Sequence, residues 1–63
     1  MKNILKEVRE EKGMSQDELA KKSGVARTVI SYIETGKEVN VKLNTLTSIA
    51  GALDKKVGEI FLF

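Results

Sequence analysis

Apolar side chains recur at helical spacing along most of this chain, and glycines divide the pattern into short segments. The first stripe, Ile4, Leu5 and Val8, is typical of an amphipathic helix within residues 1–12, with Asn3 as its N-cap. The same spacing returns towards the C-terminus, at Leu43, Leu46, Ile49, Ala50 and Leu53. Asp54 is expected to end that helix, because Asp tolerates the left-handed conformation better than most residues. The pattern predicts an all-α fold of short helices.

Residues 16–33 have the spacing of two short helices that meet at a sharp turn. Ser15 and Glu18 stand in the S-x-x-E arrangement of a capping box, and Gly24 can adopt a left-handed turn without a steric penalty. Positions one, five, nine, fifteen and eighteen of the segment are Gln16, Ala20, Gly24, Ile30 and Ile33. A small residue, a turn glycine and paired β-branched residues at this spacing predict a helix-turn-helix. An ordinary helical hairpin is the alternative.

The second helix of this motif, residues 26–35, has one apolar and one polar face on a helical wheel. Ile30 and Ile33 fix the inward direction, and Ala26 falls on the same side. The outward side chains are Thr28, Ser31, Tyr32 and Thr35, with Arg27 extending past them from the first turn. Hydroxyls and a guanidinium are groups that can bind base edges. The outward face is therefore the candidate reading surface.

Ala26 occupies the position where Ser, Thr or Asp would normally cap this helix. The loss of such a cap typically costs about 0.5–2 kcal/mol. Either Ala26 is packed against the preceding helix, or the N–H groups at the helix start are left for another acceptor such as a phosphate. Packing is the preferred interpretation.

Composition excludes most catalytic chemistry. The chain has 63 residues, enough for one domain over 1–63 but close to the lower limit for an apolar core, so dimerisation would add stability. With no Cys and no His, the usual thiolate, metal and general-base sites are missing, and neither an enzyme nor a cofactor is expected. No apolar run reaches the length of a membrane span or resembles a signal peptide, so a cytoplasmic protein is expected.

Charge is distributed unevenly although the net charge is only +2. The acidic residues upstream are Glu7, Glu10, Glu11, Asp17 and Glu18. The cations around the second motif helix are Lys21, Lys22, Arg27, Lys37 and Lys42. This separation favours a nucleic-acid partner more than the net charge does, although lysines that only solubilise the domain are the alternative.

The C-terminal run EIFLF carries four large apolar side chains, more than one small domain can bury. Ile60 and Phe61, with Val57 before them, are expected in the core. Leu62 and Phe63 are candidates for a dimer interface, because exposed apolar patches usually mark contacts with a partner. A frayed end is the alternative.

These segments together resemble a Cro/XRE-type, lambda-repressor-like helix-turn-helix DNA-binding domain. The resemblance rests on the opening helix, then GMSQDELAKKSGVARTVISYIETGK, then LNTLTSIAGAL, in the order of that compact five-helix fold. It implies that Arg27, Thr28 and Tyr32 face bases in the major groove, although the bulk of Tyr32 leaves a phosphate contact open. It implies phosphate contacts at Gln16, Thr35, Lys37 and Lys42. It also implies a structural ion pair between Arg9 and Glu34.

Two functions are compatible with this resemblance. The first is a homodimeric, sequence-specific regulator, most simply a repressor, that binds double-stranded DNA at a palindromic operator and needs no small-molecule ligand. The second is an antitoxin-like or adaptor subunit whose apolar tail binds another protein.

Overall fold

The computed structural model describes residues 2–37 and 40–62. These residues form short helices and a two-stranded antiparallel ribbon. The helices are α1 (Leu5–Glu11), α2 (Gln16–Ser23), α3 (Arg27–Thr35), α4 (Leu43–Ala52) and α5 (Val57–Ile60). Strands β1 (Lys2–Asn3) and β2 (Phe61–Leu62) pair antiparallel, with Asn3 opposite Phe61. None of the described helices is long and apolar enough to cross a membrane. The five-helix fold is confirmed, but the ribbon was not predicted.

A single apolar core joins all five helices and β2. Its largest fully buried side chains are Leu5, Leu19, Ile30, Ile33, Ile49, Leu53, Ile60 and Phe61. The inward direction assigned to Ile30 and Ile33 is confirmed, as is the burial of Ile60 and Phe61. Val57 packs against the same core from its edge. The apolar stripes of the sequence therefore meet in one core, which fixes the position of α3 against α2, but Leu43 lies outside this core and is 67% exposed, so its place on the inward stripe of α4 was wrong.

Helix α1 begins later than its sequence pattern indicates. Residues 2–3 belong to β1, and the amide of Ile4 donates to the carbonyl of Ile60 at 2.9 Å. The prediction that Asn3 is the N-cap is wrong, because the N-cap is Ile4, but the side-chain oxygen of Asn3 accepts from the amide of Leu5, the first residue of α1, at 3.1 Å. Its side-chain nitrogen donates to the carbonyl of Ile33 at 3.1 Å. One residue thus links the ribbon, the start of α1 and the interior of α3.

The predicted helix ends are confirmed at most positions. In the capping box, the hydroxyl of Ser15 accepts from the amide of Glu18 at 3.0 Å, and the Glu18 carboxylate accepts from the amide of Ser15 at 2.9 Å. Gly24 ends α2 with φ +74°, and Asp54 adopts φ +56° just after α4. These local signals set the lengths of α2 and α4.

Candidate nucleic-acid interface

The turn between α2 and α3 brings the first turns of the two helices to the same side of the molecule. After Gly24, the amide of Val25 donates to the hydroxyl of Ser23 at 3.2 Å, and the Val25 side chain packs against the core. Leu19 of α2 and Ile30 of α3 are both fully buried, so the two helices share one apolar contact. The polar start of each helix is left at the surface.

Ala26 is exposed, and the interpretation that it packs against α2 is wrong. Its backbone is extended, with φ −58° and ψ 139°, because α3 begins only at Arg27. A helical wheel therefore misplaces this side chain, and Val25 provides the apolar contact instead. No side chain caps α3. Of the two interpretations of this uncapped start, the one that leaves its N–H groups to another acceptor remains a hypothesis.

A cleft of about 210 Å³ lies where the two helix starts meet, lined by Gln16, Arg27, Thr28 and Ser31. Gln16 comes from the first turn of α2, and the other three come from the outward face of α3. The structure thus brings together three candidate base-reading residues and one candidate phosphate anchor. All four side chains carry hydrogen-bonding groups and no large apolar surface.

The remaining candidate residues lie outside this cleft. Tyr32 is 49% exposed on the outward face of α3. The hydroxyl of Thr35 donates to the carbonyl of Ser31 at 2.9 Å, so its single proton is engaged within the helix and only its acceptor capacity faces outward. Lys37 and Lys42 are exposed in the segment between α3 and α4. These residues could extend an interface beyond the cleft.

Behind the cleft, Arg9 and Glu34 form a largely buried ion pair between α1 and α3. The guanidinium donates through Nε to Oε2 at 2.7 Å and through Nη2 to Oε1 at 3.1 Å. Only 10% of the Arg9 side chain and 3% of the Glu34 side chain are exposed. The third arginine nitrogen, Nη1, donates to the carbonyl of Met14 at 2.7 Å. The pairing draws the carboxylate of Glu34 inside the molecule.

Gln16 is attached to this ion pair. Its Nε2 donates to Oε1 of Glu34 at 3.0 Å, which uses one of its two amide hydrogens. The carboxylate therefore orients the side chain at the start of α2. The second amide hydrogen is the group that could donate to a phosphate.

The pair also fixes the protonation state of Glu34. Burial acts to raise the pKa of this carboxyl, but the hydrogen bonds from Arg9 and Gln16 and the charges of Arg9 and Lys6 outweigh burial and hold the pKa below 4.5. The hydrogen bonds that Arg9 donates to Glu34 raise the pKa of Arg9. Both groups are charged near neutral pH, so the network is complete under those conditions.

Arg27 lies beside an acid that the sequence pattern did not connect with it. Its Nε is 3.3 Å from Oδ1 of Asp17, and the two side chains are 63% and 71% exposed. The expected separation of upstream acid from cations around α3 is therefore wrong at this point, because the turn folds the start of α2 back onto the start of α3.

Comparison with known protein families agrees with this geometry. The family model for helix-turn-helix domains matches residues 5–60. The chain belongs to the helix-turn-helix family. The Cro/XRE-type resemblance and the regulator class that it implies are confirmed. Within this helix-turn-helix protein, α2 and α3 are the two motif helices, and α3 carries the outward polar face.

Relatives of this helix-turn-helix protein include several transcriptional regulators. Two from Archaeoglobus fulgidus are 38% and 40% identical over 63 residues, covering all of this chain and 89% and 87% of theirs. The regulator SinR of Bacillus subtilis is 40% identical over 53 residues, covering 84% of this chain and 48% of SinR. The solved complex of SinR with SinI has a chain that matches with a TM-score of 0.79 at 40% identity, covering 84% of this chain and 52% of that one. The chain thus spans about half the length of SinR.

Proposed function

We propose that this helix-turn-helix protein represses transcription by binding a specific double-stranded DNA sequence in the cytoplasm, without catalytic activity. The observation that carries the proposal is the cleft at the starts of α2 and α3. There Gln16, Arg27, Thr28 and Ser31 expose donors and acceptors on a surface built from two rigid helices. A narrow helix face with such groups suits the major groove of DNA, which is wide enough to admit one helix.

Direct reading of bases is assigned to the outward face of α3. Arg27 can donate two hydrogen bonds to O6 and N7 of guanine, which is the commonest base-specific contact in the major groove. Thr28 and Ser31 can donate to or accept from several bases. They therefore help to orient α3 in the groove more than they discriminate between base pairs. Tyr32, half exposed one turn further along, can reach a base or a phosphate through its hydroxyl.

Binding to the DNA backbone is assigned to residues at both ends of this surface. Gln16 is held in place by Glu34 and offers its second amide hydrogen to a phosphate. Lys37 and Lys42 supply positive charge beyond the end of α3, and Thr35 can contribute if its hydroxyl leaves the Ser31 carbonyl. These contacts fix the register of α3 in the groove, and their contribution weakens as salt is raised.

The test of this proposal is the substitution Arg27→Ala. Duplexes that the parent prefers are first selected from a random pool, and affinities for selected and random duplexes are then compared. Loss of a bidentate guanine contact should lower the ratio of the two affinities by about 10- to 100-fold. As a control, Lys37→Ala should weaken both affinities by the same factor. It should also reduce the slope of log affinity against log salt concentration by about one. A parent protein with no preference for any duplex contradicts the proposal.

A homodimer on a palindromic operator is the proposed assembly, because one small module makes few base contacts. The proposed interface is formed by Leu62 and Phe63; the side chain of Leu62 and all of Phe63 lie outside the described residues. Sedimentation of the variant with Leu62→Ser and Phe63→Ser should show a monomer where the parent is a dimer. An unchanged mass contradicts this interface.

The adaptor function remains the second candidate, because the same tail could bind a different protein. SinR has been solved in a complex with SinI, so a relative of this chain assembles with a protein partner. Phe61 is fully buried and cannot take part, which limits the tail's available apolar surface to its last two residues. Loss of sequence preference upon Arg27→Ala favours the regulator over the adaptor.

A further inference from the structure

Asp17 is an acidic residue that lies beside the proposed reading surface. It lies in the first turn of α2, next to Gln16, and its Oδ1 is 3.3 Å from Nε of Arg27. Both side chains are mostly exposed, so the pair is not needed to compensate buried charge. An acid so close to a DNA-binding surface also repels phosphates. Its position therefore calls for a role other than stability or general affinity.

The chemistry of the guanidinium suggests that role. A guanidinium is planar and carries five N–H donors in a fixed fork. The carboxylate of Asp17 lies at the Nε side of this fork. The end formed by Nη1 and Nη2 is the part that can donate two parallel hydrogen bonds to O6 and N7 of guanine. A carboxylate at the Nε edge of the guanidinium therefore restricts the rotation of this group while leaving the base-reading end available.

We propose that Asp17 is a positioning residue that sets the base specificity of Arg27 by holding its guanidinium in the orientation that matches guanine. The inference rests on the proposed DNA-binding function and adds a residue that itself touches no base. Without the carboxylate, the long arginine side chain samples more rotamers and can donate to phosphates or to other bases. Asp17 thus lowers the affinity for all duplexes and raises the preference for guanine.

The substitution Asp17→Asn separates positioning from simple repulsion. Repulsion acts on every duplex, so its removal raises the affinities for guanine-containing and substituted sites by the same factor. Positioning acts on one base pair. We expect the random-duplex affinity to rise and the preference for guanine at the position read by Arg27 to fall by about two- to fivefold, the range typical of an exposed ion pair.

Two controls define the source of that change. Glu11→Gln removes the same charge from the exposed end of α1 and should leave the guanine preference unchanged. In an Arg27→Ala background, Asp17→Asn should also leave the preference at this position unchanged, because Asp17 acts through Arg27. Thermal unfolding of each variant checks that the domain is folded at the temperature of the binding measurement.

The outcomes distinguish this inference from the proposed function. If the parent prefers one base at this position and Asp17→Asn keeps the full preference, the positioning role is overturned while sequence-specific binding stands. An equal loss in the Arg27→Ala background also overturns it, since Asp17 would then act independently of Arg27. If the parent shows no preference among duplexes, the proposed function fails and the positioning role fails with it.

Discussion

Glu34→Gln should lower the free energy of unfolding by about 3–5 kcal/mol. The substitution keeps the shape of the side chain but removes the negative charge that faces Arg9, whose side chain is only 10% exposed. An uncompensated buried cation loses far more hydration than an amide can replace. Domains of this size have stabilities towards the lower end of about 5–15 kcal/mol, so the loss is a large fraction of the total. Urea unfolding monitored by circular dichroism measures it.

The matched control for this substitution is Glu11→Gln, which removes the same charge from an exposed position on α1. Exposed substitutions of this kind usually change stability by no more than about 0.5 kcal/mol. A loss in Glu34→Gln no larger than that in Glu11→Gln contradicts the assignment of the ion pair as structural.

Acidification provides an independent measurement of the same pair. The folded-state pKa of Glu34 lies below 4.5, so its contribution is complete above the unfolded-state pKa and disappears as the pH falls through the folded-state value. The parent should therefore become less stable as the pH is lowered below about 4.5. In Glu34→Gln this part of the pH dependence is absent, so its stability should fall less steeply over the same range.

The parts of the fold that were predicted from the sequence depend on local signals. The Ser15 cap and the Gly24 turn act within a few residues, and the three-residue spacing of Ile30 and Ile33 defines a buried face without knowledge of its partner. Asn3 was expected to be the N-cap of α1, whereas the N-cap is Ile4, and the bond from Asn3 to the carbonyl of Ile33 joins residues that are 30 apart. The two-residue strands of the ribbon are too short to have a recognisable period.

The site was predicted less completely, for a related reason. The wheel identified which side chains of α3 face outward, including Thr28 and Tyr32. It failed at Ala26, where the backbone is not yet helical, and it carried no information about contacts between α2 and α3. The proximity of Asp17 to Arg27 depends on the angle at the turn. That angle is set by core packing, which a one-dimensional pattern does not describe.

Phe61→Ala should also be strongly destabilising, by about 3–5 kcal/mol. Phe61 is 0% exposed and is the largest of the fully buried side chains, so its removal leaves a cavity in a core that has few other residues. The comparison variant is Leu43→Ala, which removes an apolar side chain that is 67% exposed and should change stability little. Phe61→Leu retains most of the apolar volume, so its loss of stability should lie between those of the other two variants. This variant provides a measurement if Phe61→Ala does not fold.

The same substitution should weaken DNA binding without changing which sequence is preferred. Phe61 lies opposite Asn3 in the ribbon, and Asn3 donates to the carbonyl of Ile33 inside α3, so the ribbon and α3 are part of one cooperative unit. Only folded molecules bind, and the apparent affinity falls in proportion to the folded fraction. Affinities for selected and random duplexes should then decrease together, in contrast to Arg27→Ala. A changed sequence preference in folded Phe61→Leu would instead mean that the ribbon adjusts the orientation of α3.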